Sequence, residues 1–82
     1  MFINIVIRVL GLNKDFDISI PKGMILKNAY ELINKIMIDE TFGEINIENG
    51  FSLVKISDGK LLNIDKTLEE QKIDNGEILL FV

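Results

Sequence analysis

The sequence predicts a two-layer α+β domain: a mixed sheet of four to five strands packed on one helix. Three observations carry that expectation. The first twenty residues alternate apolar and polar side chains at period 2, as strands do. Between residues 26 and 37 the apolar spacing changes to that of one helical face. From residue 51 onward, short apolar runs return, separated by glycine-containing turns.

The first run, "FINIVIRVL", puts Ile3, Ile5, Ile7 and Val9 on one face and Phe2, Asn4, Val6, Arg8 and Leu10 on the other. "GLNKD" is turn chemistry of hairpin length. "FDISI" then alternates, with Phe16, Ile18 and Ile20 inward and Asp17 and Ser19 outward. Residues 2–20 therefore read as a hairpin, ended by Pro21, which has no N–H for a ladder. A helix is expected over about residues 24–39, with Gly23 as N-cap. Its apolar stripe is Leu26, Ala29, Tyr30, Ile33, Ile36 and Met37; Lys27, Asn28, Glu31, Asn34 and Lys35 form the wet face. One apolar face implies packing on one side of a sheet.

"TFGEINIENG" reads as a loop in which Ile45 and Ile47 could form a short edge strand. "FSLVKIS" is a third main strand, "DGK" a tight turn, and "LLN" a short fourth strand. "DKTLEEQKI" holds room for a single helical turn around Thr67–Glu70, "DNG" is another turn, and "EILLFV" is the final strand. The first and last strands are apolar on both faces, which suits the centre of a sheet. "FDISI" and "LLN" suit its edges.

The order of elements, with these turns, resembles the ubiquitin-like β-grasp. "DGK" followed by Leu61 and Leu62 is similar to the turn between that family's third and fourth strands. Thr67, Leu68, Ile73, Gly76 and Leu79 resemble its closing motif: a Thr-Leu opening a helical turn, a buried Ile, a turn, then the last strand. Within the superfamily the chain looks most like the small YukD-type ubiquitin-like proteins of Gram-positive bacteria. A first Met placed directly on the first strand, "IDNGEIL" before the last strand, and the end at Val82 carry that likeness. The resemblance implies a cytosolic accessory of type VII (WXG-type) secretion, with a component of the secretion machinery as partner.

Composition excludes several other roles. At 82 residues, 1–82 is one ubiquitin-like domain, and with no cysteine it must stabilise itself through its core alone. It has no histidine and no nucleophile–base pair, so no catalytic residue, metal ligand set or cofactor is expected. A net charge of −4 with dispersed basic residues argues against nucleic acid. "MFINIVIRVL" lacks the basic start and cleavage site of a signal peptide, and no run reaches transmembrane length, so no membrane insertion and a cytoplasmic, soluble chain are expected. Asp39, Glu40, Glu44 and Glu48 lack the spacing of a calcium loop, and Asp58-Gly59-Lys60 reads as a turn, not a phosphate cradle. Lys60 falls where ubiquitin carries a chain-forming lysine and reads as a solvated turn residue.

Two functional readings remain. Modifiers and sulfur carriers of this superfamily act through a flexible Gly-Gly terminus. No Gly-Gly occurs in the sequence, and it ends on Phe81-Val82, so a C-terminal carrier role is disfavoured. The other reading is a non-enzymatic protein-binding module. If Leu79 and Phe81 face the helix, Ile78, Leu80 and Val82 must face away. Val6 joins them, with either Val54 or Ile56. The candidate protein-binding set is Val6, Ile56, Ile78, Leu80 and Val82, with Leu80 expected to be solvent-exposed. Contiguous apolar residues on an uncovered face mark an interface, here with another protein or with a second copy.

Overall fold

The computed structural model describes residues 1–9, 11, 14–44 and 52–82. Five strands and one helix follow in the order β1 (Phe2–Val9), β2 (Asp15–Pro21), α1 (Leu26–Glu40), β3 (Leu53–Lys55), β4 (Lys60–Leu61) and β5 (Ile78–Phe81). The sheet runs β2-β1-β5-β3-β4. β1 pairs antiparallel with β2 and parallel with β5, while β3 pairs antiparallel with both β5 and β4. The two strands that are apolar on both faces thus lie inside the sheet, and the alternating β2 and the short β4 form its edges. The expected strand at Ile45 and Ile47 lies outside the described residues, as do Leu10, Leu12, Asn13 and Phe51 of the expected strands and turn.

One core joins the sheet to the helix. Ile3, Ile5, Ile7 and Val9 of β1, Phe16, Ile18 and Ile20 of β2, and Leu79 and Phe81 of β5 are buried against Leu26, Ala29, Ile33 and Met37 of α1. Tyr30 and Ile36 flank that stripe, partly buried. The Tyr30 ring lies 5.9 Å from that of Phe81 and is tilted to it by 51°. Burial pushes the Tyr30 hydroxyl above its ordinary range, partly offset by a backbone hydrogen bond from Leu53. It is a packing residue with a wet tip.

The helix begins later than its sequence suggests. Ile25, not Gly23, occupies the N-cap and supplies no side-chain cap. Its place is fixed by packing and by a bridge to Thr67: Leu26 N–H donates to the Lys66 carbonyl and Lys27 N–H to that of Ile64. Burial of Leu26 outweighs the weak cap. At the other end the Thr41 hydroxyl donates to the Met37 carbonyl at 2.6 Å.

The segment after β4 carries a reciprocal cap. Thr67 Oγ1 accepts from Glu70 N–H, and a Glu70 carboxylate oxygen accepts from Thr67 N–H, each at 3.0 Å. These bonds hold the Glu70 carboxyl below its ordinary range. This is the capping box of a helix start, here closing a turn with no helix behind it. Leu68 and Ile73 are fully buried beneath it. Thr67→Ala removes one side of the box and should cost about 0.5–2 kcal/mol, the range for a lost cap; urea unfolding measures it.

β4 is shorter than "LLN" suggests. Leu62 leaves the ladder, although its N–H still donates to the Leu53 carbonyl at 2.9 Å. Two turns need glycine, Gly59 at φ 71° and Gly76 at φ 83°, where a Cβ would be strained. In the first, Asp58 Oδ1 accepts from Lys60 N–H at 3.0 Å, so "DGK" is a turn closed by its own aspartate.

Candidate functional site

The candidate site is the sheet face turned away from α1. Register fixes its membership. Val6 lies beside Ile78, and Arg8 beside Leu80, across β1 and β5. Across β5 and β3, Leu80 lies beside Val54, which in turn lies beside Leu61 of β4. Ile56 follows β3, and its N–H donates to the Ile78 carbonyl at 3.1 Å. Ser52 and Val82 exchange both backbone hydrogen bonds. The face therefore carries a row Val6–Ile78–Ile56, a row Arg8–Leu80–Val54–Leu61, and Val82 at the end of β5.

All five residues singled out from sequence lie on this face. Val54 and Ile56 are not alternatives: two positions apart on one strand, they share a side. Val54 and Leu61 belong to the same surface and are absent from the sequence-derived set. Period 2 was the signal for Val54; Leu61 needed the β3–β4 register. Ile56 is 41% exposed, Val82 47% and Leu61 66%. Val6, Val54, Ile78 and Leu80 are half-buried. Leu80 was expected to be solvent-exposed and is not, because Arg8 and Val54 flank it in the sheet. It does point away from the helix, since its neighbours Leu79 and Phe81 are fully buried.

Charge borders the apolar lane on the β2 side. The Arg8 guanidinium holds Asp15 with two hydrogen bonds of 2.9 Å. That bidentate pair sets Asp15 below the ordinary carboxylate range and Arg8 above its own value. Asp17 lies opposite Val6 and is exposed.

At the opposite corner, Ile56 and Ile78 share a shallow recess with Ser57, Asn75, Gly76 and Glu77. Lys55, whose side chain is 12% exposed, closes its rim from the helix side. Its Nζ donates to the Lys72 carbonyl at 3.0 Å and sits 3.8 Å from Glu77 and 4.0 Å from Asp58. Ser57 Oγ donates to Glu77 at 3.2 Å. This polar brace ties β3 to the last turn. Lys55 reads as one more dispersed lysine in the sequence, and only the fold shows it semi-buried.

Other chemistry is sparse. Asp39, Glu40 and Glu44 are exposed, and Glu48 lies outside the described residues. Among the described residues no group of three potential metal-binding side chains gathers. Lys60 is exposed beside its turn. Among the described residues no helix is long and apolar enough to cross a membrane.

The sequence matches no family model and, at a significant level, no curated protein. Solved structures give a different result. The ubiquitin-like (UBL) domain of Plasmodium falciparum Dsk2 superposes with a TM-score of 0.71 at 20% identity, covering 100% of each chain. Ubiquitin of Caldiarchaeum subterraneum gives 0.75 at 12% identity, over 99% of this chain and 91% of that one. This chain has the ubiquitin-like β-grasp fold. A chain of the MycP5-free ESX-5 inner-membrane complex contains a similar domain, with a TM-score of 0.75 at 16% identity, over 99% of this chain and 20% of that one. The ubiquitin-like fold also recurs in a chain of the toluene 4-monooxygenase HD complex, at 0.77 and 11% identity. At such identities the likeness concerns the fold alone.

Proposed function

We propose that this ubiquitin-like domain is a non-enzymatic protein-interaction module that docks non-covalently through the open face of its sheet. The observation that supports it is the continuity of the apolar lane. Val6, Ile56, Ile78, Leu80 and Val82, with Val54 and Leu61, occupy neighbouring positions on four adjacent strands. The helix lies on the other side and covers none of them. Leaving so many aliphatic groups together on one face is the signature of a surface kept for a partner.

The finer reading is a cytosolic accessory of a Gram-positive type VII secretion system. Its support is the YukD-type resemblance of the sequence, together with the presence of the same fold in the ESX-5 inner-membrane complex. A carrier acting through its C-terminus is the weaker alternative. Phe81 is fully buried and Val82 is doubly hydrogen-bonded to Ser52, so these residues are strand, not tether.

The test is capture from extracts of the native cells by immobilised wild type and by Ile56→Asp, a change at an exposed position that leaves the core intact. A specific protein held by wild type and lost with Ile56→Asp supports docking through this face. A secretion-machinery component as that protein supports the finer reading. Equal capture by both, or a covalent adduct in the intact mass of the native protein, overturns the proposal.

A further inference from the structure

The proposed docking face leaves the form of its occupant open, and the size and charge of the lane narrow it. Strands in a sheet lie about 4.8 Å apart, so β1 to β4 across the lane is roughly 14 Å. Along β5, Ile78 to Val82 spans roughly 13 Å at about 3.3 Å per residue. An α-helix with its side chains is about 10–12 Å wide. The lane is therefore about one helix wide and two to three turns long. A stable dimer needs about 800 Å² from each partner, several times the lane's roughly 200 Å² in plan. A second copy stacked sheet on sheet would have to enlist the polar flank, burying Asn4, Asp17 and the Arg8–Asp15 pair. Burying a charge without a partner costs far more than the aliphatic contacts return.

The flank also has a sign. Arg8 is already committed to Asp15 by two hydrogen bonds, which leaves the exposed Asp17 carboxylate unbalanced beside Val6. A long basic side chain on the edge of a docked helix could lay its stem along Val6 and bring its charge to Asp17. A second copy would instead carry its own net charge of −4 toward that carboxylate. Resting on the open-face reading above, we infer that the occupant is a single amphipathic helix of another protein, with apolar residues at i, i+3 or i+4, and i+7 and a Lys or Arg on the flank that meets Asp17.

The experiment uses the full chain and two stapled helical peptides as probes. Both carry Leu at i, i+3 and i+7; one has Lys and the other Glu at the flanking positions. Backbone amide shifts locate binding, and sedimentation of the chain alone reports self-association. The expected result is a monomer whose Leu80, Val54 and Ile78 amides shift with the Lys helix. Affinity should exceed that of the Glu helix about two- to fivefold, the range of one exposed ion pair. Asp17→Asn should erase the difference while both peptides still bind. Equal affinities in wild type overturn the charge assignment. A concentration-dependent dimer that blocks the peptides overturns the helix in favour of a second copy, with the open-face reading intact. Peptides that shift no residue of the face, when capture also fails with wild type, remove both.

Discussion

Ile33→Ala lowers the unfolding free energy by about 2–5 kcal/mol, the range for truncating a buried aliphatic side chain. Ile33 sits in the middle of α1 and is fully buried, in one cluster with both halves of the sheet. Nothing polar within the described residues shares that interior. No disulfide offsets a cavity there, because the chain has no cysteine. Domains of this kind have about 5–15 kcal/mol in total, so the loss approaches the whole stability at the lower end. Ile33→Val removes one methyl and should cost about 0.5–1.5 kcal/mol. Urea unfolding of the three proteins orders them; an unchanged midpoint for Ile33→Ala would mean that the helix does not hold the core.

Phe81→Ala has an effect as large, about 3–5 kcal/mol. Phe81 is in β5, the central strand, beside Val9 on one side and Leu53 on the other. Its ring also meets Tyr30 of the helix, so one side chain links three strands to α1. Phe81→Leu keeps most of the volume but loses the aromatic contact, and should fall between wild type and Phe81→Ala. A cost below about 1 kcal/mol for Phe81→Ala, with an unchanged urea slope, would place the ring outside the core.

The pattern of the chain announced the fold because each signal is local. Ile3 to Val9 and Phe16 to Ile20 show their inward faces through alternation, and Leu26 to Met37 through a helical stripe. Places where reading failed depend on distant contacts. Gly23 looked a better cap than Ile25, yet Ile25 is fixed by its bridge to Thr67, far along the chain. Lys55 looked like a solvated lysine, yet the turn at Lys72 supplies its acceptor. The face-away direction of Leu80 was legible, because two neighbouring residues in a strand cannot both enter the core. Its partial burial was not, because Arg8 and Val54 reach it only through sheet register. Likewise Leu61 joined the lane through the β3–β4 pairing, which no local pattern states.

The docking claim is tested most directly by Leu80→Ser, measured for melting temperature and for complex formation with the protein captured by wild type. Leu80 is half-buried and points away from α1, so folding should lose little: a drop of about 4–8 °C, corresponding to roughly 1 kcal/mol in a domain this size. Binding should weaken at least about tenfold, as for a central apolar anchor of an interface. A fall of melting temperature beyond about 15 °C with binding unchanged would make Leu80 a core residue of the monomer and contradict the open-face account.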